Sequence, residues 1–274
     1  TLLGRRSPPA SAQRHHLRCD LSDLNGFAED LPPGVAVSFA PIWHLAPFLA
    51  ALAERRPSAI AALRGVVACS SSSAITKRYA ANRFDRELVH RLLRAEDLLQ
   101  RTCAALAIPC RILAPTLIYG RVGEYGDRNL SQLLKLMRRL PVLPIPAESG
   151  LRQPIHASQL AAVALQQADH LADPGSPHPP VPPLLLGGDD TLSYTDMLRR
   201  LQKSVGTTDR AASCVLLPVP SRLFPILASP LLVFSPKTFE AVQRIGADLA
   251  GFTPAHAILN EPPRRFPVPP LSLG

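Results

Sequence analysis

The chain has 274 residues and a mass of 29.6 kDa, with 46% hydrophobic and 19% charged positions, enough for one large domain or a domain with a small appendage around a sizeable core. Thirty basic residues against 21 acidic ones give a net charge of +9, yet the excess is almost all arginine scattered along the chain, and only 5% of positions are aromatic. Neither a basic arm nor base-stacking aromatics are present, which speaks against a nucleic-acid partner.

The five cysteines, Cys19, Cys69, Cys103, Cys110 and Cys214, form no CxxC and no metal-ligand spacing, which argues against a zinc site or a disulfide framework and for a reducing cytoplasm. The start, TLLGRRSPPA, lacks the apolar region and cleavage site of a signal peptide. Residues 34–53 carry no Asp, Glu, Lys or Arg, but Ser38, Pro41, His44 and Pro47 interrupt them, so they read as a strand feeding a helix and not as a membrane span.

Short Val, Ile and Leu runs alternate with stretches of helical period, which predicts a parallel sheet wrapped by helices. The predicted strands are TLLG at the start, HLRCD ending at Asp20, VAVSFA ending at Ala40, GVVACSS ending at Ser71 and CRILAP ending at Pro115. Helices are predicted over 43–56, 84–106, 129–140 and 158–171, with Asp85 and Ser158 as N-caps. The proline-dense stretch 172–183 cannot continue a helix and reads as a surface linker. After it come the strand PLLLGG, a helix over 193–205, a strand near CVLLPVP and the apolar residues 223–234. That apolar stretch reads as a proline-kinked core helix, with a membrane surface or a partner as the alternative. The expected domains are 1–172, an α/β dinucleotide-binding domain, and 173–274, a small substrate-side lobe with some elements returning to the main sheet.

This element order matches the latter part of a dinucleotide-binding fold, whose cofactor contacts cluster at the carboxyl ends of strands. Arg5 and Arg6 follow the first strand, where arginines hold a 2′-phosphate, so NADP is expected over NAD. No GxGxxG occurs. The expectation is that one βα unit of about 25 to 35 residues precedes Thr1, and that without it the dinucleotide binds only weakly.

In order and spacing, VVACSSSS, a long helix with AEDLL, RILAPTLIYG, NLSQLLKLMRRLP, GLRQPIHASQLAAVAL and LLLGGDDTLSYTDMLRRL resemble the extended short-chain dehydrogenase/reductase superfamily, the group of nicotinamide-dependent sugar-nucleotide epimerases and dehydratases. The resemblance covers nearly the whole chain and implies a Rossmann-like doubly wound parallel sheet, lacking its first βα unit, with a smaller C-terminal lobe. It places Asp20 and Leu21 near the adenine and passes Phe39, Ala40 and Pro41 beside the cofactor. Ser72, with Ser71 the neighbouring choice, would hydrogen-bond the reacting group, and Pro115 and Thr116 would face the nicotinamide, although Ala114 stands where many relatives have Arg or Asn. Asn129 would cap a helix whose N-terminus receives a phosphate, and Arg152 would grip the diphosphate of a sugar nucleotide.

The superfamily's Tyr-x-x-x-Lys proton relay is missing. Aligning AEDLL puts Leu88 at the Tyr and Leu92 at the Lys, both expected to point towards the cofactor cleft. Tyr79 and Arg83 share the spacing, but an always-charged Arg cannot relay its own proton. Glu96 and Asp97 are expected as an exposed acidic pair, His156 as the packed last residue of a strand, and Cys69 as a small core residue. Two functions stay open. One is an atypical NADP-dependent epimerase or reductase acting on a sugar nucleotide or similar anion; the other is a catalytically inactive nucleotide-binding scaffold or accessory subunit. Either is expected in the cytoplasm, with a small-molecule partner, no metal and no membrane span, and is compatible with a homodimer.

Overall fold

The computed structural model describes residues 1–4, 16–23, 27–80, 82–122, 125–127, 129–173, 175, 178–220, 222–224 and 244–268. Arg5, Arg6 and residues 225–234 of the apolar stretch lie outside them.

Strand β1 (Leu2–Gly4) pairs in parallel with β2 (His16–Arg18). Strands β3 (Gly34–Ser38), β4 (Leu63–Cys69) and β5 (Cys110–Pro115) also run parallel, Val37 opposite Val67 and Val67 opposite Arg111. With β12 (Leu184–Gly187) and β15 (Thr253–Pro254), themselves parallel, they make the expected α/β sheet in the order β15-β12-β5-β4-β3. The predicted strand ends at Ala40 and Ser71 move back to Ser38 and Cys69, because the small polar residues that follow bond into turns instead of the ladder.

The described chain divides into two compact units. The first comprises Thr1–Ala74, Glu87–Ala114 and Ala164–Leu184; the second comprises Ile75–Arg86, Pro115–Val163 and Leu185–Gly274. Each draws on three stretches of sequence, so no single cut at residue 172 separates them.

In the first unit, α1 (Ile42–Arg55) buries Ile42, Leu45, Ala46, Phe48, Leu49 and Leu52, the three- and four-residue spacing of one helix face. Pro47 falls on its exposed side. The short α2 (Pro57–Ile60) follows, and α4 (Arg83–Ala105), which begins in the second unit, buries Val89, Leu92, Ala95, Glu96, Leu99 and Cys103. These faces meet the sheet in one apolar cluster that holds Phe27 against Phe48 edge to face at 5.5 Å. Helix α4 closes with Ile108 N–H on the Cys103 carbonyl and Ala107 N–H on the Ala104 carbonyl, leaving Ala107 left-handed at φ 53°. That conformation suits glycine, so Ala107→Gly should stabilise the protein by about 1 kcal/mol in urea unfolding; a loss of stability would show that the Ala107 methyl contributes packing there.

In the second unit, α5 (Asn129–Arg139), α7 (Tyr194–Ser204) and α8 (Arg210–Ser213) pack Leu130, Leu134, Met137, Leu198 and Leu201 around Tyr119 and Phe266. Arg138 bonds both carboxylate oxygens of Asp209, whose Oδ1 also accepts the Ala211 N–H that opens α8. Strands β6 (Ile118–Tyr119) and β11 (Ile155–His156) pair in parallel, while β7 (Arg121–Val122) and β8 (Tyr125–Gly126) form a hairpin. Strand β10 (Leu151–Arg152) runs antiparallel to β13 (Leu192–Ser193). Strands β9 (Val142–Pro146) and β14 (Val215–Val219) form a separate parallel ribbon.

Both predicted caps move. At α4 the Asp85 N–H bonds Asn82 Oδ1 and the Asp85 carboxylate accepts from Asn82 Nδ2, so Asn82 is the cap and Asp85 its first-turn partner. At α6 (Ala157–Ala172) the Ser158 N–H bonds His156 Nδ1 while Gln159 Oε1 accepts the His156 N–H, so the imidazole caps and Ser158 lies two residues too deep. Among the described residues, no helix is long and apolar enough to cross a membrane.

Candidate functional site

Because β3 and β4 are parallel, residues 39–41 and 70–72 leave the same edge of the sheet in the first unit. Asp20 and Leu21 follow β2; the Asp20 carboxylate accepts the Ser22 N–H, and Leu21 packs its side chain on the core. Phe39 is 53% exposed. Pro41 precedes α1, which starts with no side-chain cap and no acid in its first turn. An anion is favoured at such an end.

The serine run divides three ways. Ser70 donates its amide to the Leu113 carbonyl and its hydroxyl to Glu96 Oε1. Ser71 Oγ accepts the Ser73 N–H, closing the turn into α3 (Ser73–Thr76). Ser72 is only 8% exposed. Glu96 is likewise buried at 6%, against the expectation of an exposed pair, whereas Asp97 is exposed and pairs with Arg101 at 2.6 Å. Glu96 falls between Leu92 and Leu99 on the apolar stripe of α4, and that spacing is the signal that could have found it. Burial pushes its carboxyl above the usual range, and the Ser70 hydrogen bond only partly offsets this.

Ionised Glu96 therefore costs more in the folded than in the unfolded protein. Its stabilising contribution is complete below the ordinary value of 4.5 and is lost as pH rises through the higher folded-state value. Glu96→Gln keeps an acceptor for Ser70 and removes the ionisation. In urea unfolding from about pH 4 to about pH 8, the wild type should lose stability relative to the variant as pH rises. The reverse slope would mean that Glu96 is stabilised as the anion.

The relay positions are corrected by the structure. Leu92 is 1% exposed inside the first unit's core and Leu88 packs against the same cluster, so both serve packing instead of facing a cofactor cleft. The alignment through AEDLL therefore does not carry the Tyr and Lys roles to these positions. Tyr79 and Arg83 do not share a helix, since α3 ends at Thr76 and α4 begins at Arg83, and Tyr79 is 93% exposed.

In the second unit, Pro115 ends β5 and is buried, and Thr116 donates its hydroxyl to the Gln153 carbonyl and its amide to Leu186. Asn129 is the exposed first residue of α5. The acceptor at that helix end is Asp127, whose Oδ1 takes the Leu130 N–H at 2.7 Å and the Ser131 N–H at 3.3 Å. A carboxylate thus occupies the place expected for a phosphate. Arg152 is 7% exposed, with Nη1 on the carbonyls of Leu151 and Ala247 and its guanidinium 5.5 Å above the Tyr194 ring. Burial lowers the Arg152 pKa, and Tyr194 is pushed up to about 12, also by burial.

His156 ends its strand and is buried, as expected. Burial, and then Arg264, lower its pKa. Its Nδ1 accepts the Ser158 N–H, which puts the proton on Nε2; among the described residues that atom has no hydrogen-bond partner. It faces Gly120, at φ +110°, where any side chain would collide with it.

No family model and no curated protein matches this sequence. Solved structures do. MoeE5 in complex with UDP-glucose and NAD is similar at 18% identity and TM-score 0.54, over 96% of this chain and 84% of that one. The triphenylmethane reductase of Citrobacter sp., complexed with NADP(H), is similar at 15% identity and TM-score 0.53, over 94% and 85%. The UDP-glucuronic acid 4-epimerase of Bacillus cereus, in complex with NAD, is similar at 15% identity and TM-score 0.52, over 75% and 69%. One of these neighbours is an epimerase and one a reductase, all three are complexed with NAD or NADP(H), and the chain shares their Rossmann-like fold.

Proposed function

We propose that this chain is a nicotinamide-dinucleotide-binding protein of the epimerase and reductase fold that holds its dinucleotide without the usual Tyr-Lys relay, as a scaffold or accessory subunit. The observation that carries the reading is that α4, Arg83–Ala105, the long helix after the serine run, holds neither a Tyr nor a Lys at any position. The residues present fit the dinucleotide: Asp20 and Leu21 would hold the adenine, Phe39, Ala40 and Pro41 would line its path, and the uncapped start of α1 favours its negative charge. When bound, the nicotinamide supplies hydride chemistry. Arg5 and Arg6 would give a preference for NADP over NAD.

The two devices that would grip a sugar-nucleotide diphosphate are already engaged within the protein, Arg152 by carbonyls and the start of α5 by Asp127. That speaks against a sugar-nucleotide diphosphate at these two places and leaves the dinucleotide as the ligand of this reading. A second reading, an atypical epimerase or reductase acting on an anionic small molecule, draws support from Ser72, two residues on from Ser70, whose hydroxyl bonds the buried Glu96 carboxyl that burial pushes above its ordinary range. Five free thiols suit a reducing, cytoplasmic setting for either.

Calorimetric titration with NADP and NAD, followed by a hydride-transfer assay, separates the readings. NADP should bind about tenfold more tightly than NAD, a difference of about 1.4 kcal/mol, and Arg5→Glu with Arg6→Glu should erase that preference. No binding heat with either dinucleotide would overturn the proposal, and hydride transfer that depends on Ser72 would establish the second reading.

A further inference from the structure

The segment that joins α3 to α4 turns its apolar side chains outward, with Ile75 53% exposed, Tyr79 93% and Phe84 68%. In the first turn of α4 the usual order is reversed, because the Asp85 carboxylate is buried while the neighbouring Phe84 ring stands in solvent. Asp85 is held inside by two donors. Its Oδ1 accepts Lys77 Nζ at 2.7 Å and its Oδ2 accepts Asn82 Nδ2 at 2.8 Å. The first of these contacts ties residue 77 to residue 85 and closes the chain between them into one loop. Further bonds shape it: the Arg78 N–H on the Ile75 carbonyl, the Ala80 N–H on the Lys77 carbonyl, and Arg86 Nη1 on the Ala80 carbonyl. A short loop drawn together at its neck presents a convex tip and not a groove.

Charge on this segment is mostly of one sign. Residues 75–86 hold Lys77, Arg78, Arg83 and Arg86 against Asp85 alone, and Lys77 is spent on that carboxylate, so the arginines carry the excess. Arg78 and Arg83 are exposed, and among the described residues their guanidinium groups make no hydrogen bond or ion pair. The first exposed acid, Glu87, comes on the helix beyond the loop.

We infer that this loop is a peripheral docking site for an anionic phospholipid surface, with Ile75, Tyr79 and Phe84 entering the boundary between headgroups and acyl chains while Arg78 and Arg83 pair with lipid phosphates. The residue types match the two layers of such a surface. Aromatic rings carry their apolar bodies into the boundary, and the Tyr79 hydroxyl stays at headgroup depth. Arginine lays its methylene stem along apolar surface and keeps its guanidinium at the phosphates, which it binds in a bidentate fork. A convex tip offers no pocket in which a peptide side chain is selected, so the shape favours a fluid anionic surface over an acidic protein. Three apolar side chains and two arginines give reversible attachment, far short of the hold of a spanning helix.

Co-sedimentation of the whole protein with phosphatidylcholine vesicles, with and without phosphatidylglycerol, tests this. The protein should pellet with the anionic vesicles about tenfold more strongly than with the neutral ones, and salt of about 1 M, which shortens the screening length to about 3 Å, should release most of it. Arg78→Gln with Arg83→Gln should weaken the binding about tenfold or more. Tyr79→Ser with Phe84→Ser keeps the net charge of +9 and should also weaken it about tenfold, because the rings no longer enter the boundary. A ring variant, folded by circular dichroism, that pellets as well as the wild type would reduce the binding to net charge and overturn the proposal. So would equal pelleting of the wild type with both kinds of vesicle, or none with either. Binding of a polyglutamate peptide that survives loss of both rings, without vesicle binding, would name an acidic protein as the partner instead. The two vesicle compositions need no variant, so a misfolded variant cannot shield the proposal.

Discussion

Leu92→Lys, alone or with Leu88→Tyr, is expected to cost about 4 kcal/mol or more and to yield no hydride transfer, since an isolated ammonium in a packed apolar core pays desolvation that no partner returns. Leu92 is 1% exposed among Leu99, Ala95 and the sheet-facing side chains of the first unit. The group would either stay neutral at physiological pH or open the core to water. Leu92→Ala sets the scale for lost packing alone, about 2 to 5 kcal/mol. Denaturant unfolding of the two variants, with a nicotinamide oxidation assay on whatever remains folded, gives the answer. A double variant as stable as the wild type, within about 1 kcal/mol, would place these side chains in a cleft after all.

Asp189→Ala should cost about 3 to 5 kcal/mol and loosen residues 252–268 before the rest of the second unit. The Asp189 side chain is 1% exposed. One oxygen accepts the His256 N–H and contacts His256 Nδ1, and the other accepts Gln159 Nε2 and the Arg264 N–H. Truncation leaves Gln159 Nε2 a buried donor without its acceptor and frees the His256 and Arg264 amides from the carboxylate that ties them. The adjacent Asp190 carboxylate binds Arg200 and the Phe266 N–H, so the two aspartates together hold the end of the described chain. Hydrogen exchange at the Arg264 amide reads the loss directly. Exchange there unchanged from wild type would mean that packing around Phe266, and not the carboxylate, holds the segment.

The sheet was legible because parallel strands buried on both faces are apolar runs, and the helices because their apolar spacing ended within a residue or two of the observed bounds, as at 84–106 against Arg83–Ala105. Side-chain roles were less legible for a physical reason. The AEDLL turn locates a helix but not which of its residues face a ligand, and the same stripe that marks Leu92 as apolar also marks it as core. Glu96 was misread because its charge was weighed ahead of its position on that stripe. Arg152 and Asn129 were assigned by the ligands such residues bind elsewhere, whereas the carbonyls of Leu151 and Ala247 and the carboxylate of Asp127 are distant or unmarked competitors.

The two-stranded ribbon bears on how the protein behaves in a crowded solution. Val142, Val215 and Leu217 are exposed on it, the kind of surface that recruits a foreign strand. The Val215 N–H bonds the Pro141 carbonyl and the Ala147 N–H bonds the Val219 carbonyl, and parallel pairing alternates along each strand. It follows that residues 143 and 145 and residues 215, 217 and 219 spend their amides between the strands, while 142, 144, 146, 216 and 218 face outward. Three of those five, Pro144, Pro146 and Pro218, are proline and carry no N–H, and Pro220 continues the phase. The flanks therefore offer carbonyls but only the N–H groups of Val142 and Leu216, and an incoming chain finds much of its ladder missing. Part of this sequence's unusual proline content is thus spent where it keeps copies of the protein from zipping together.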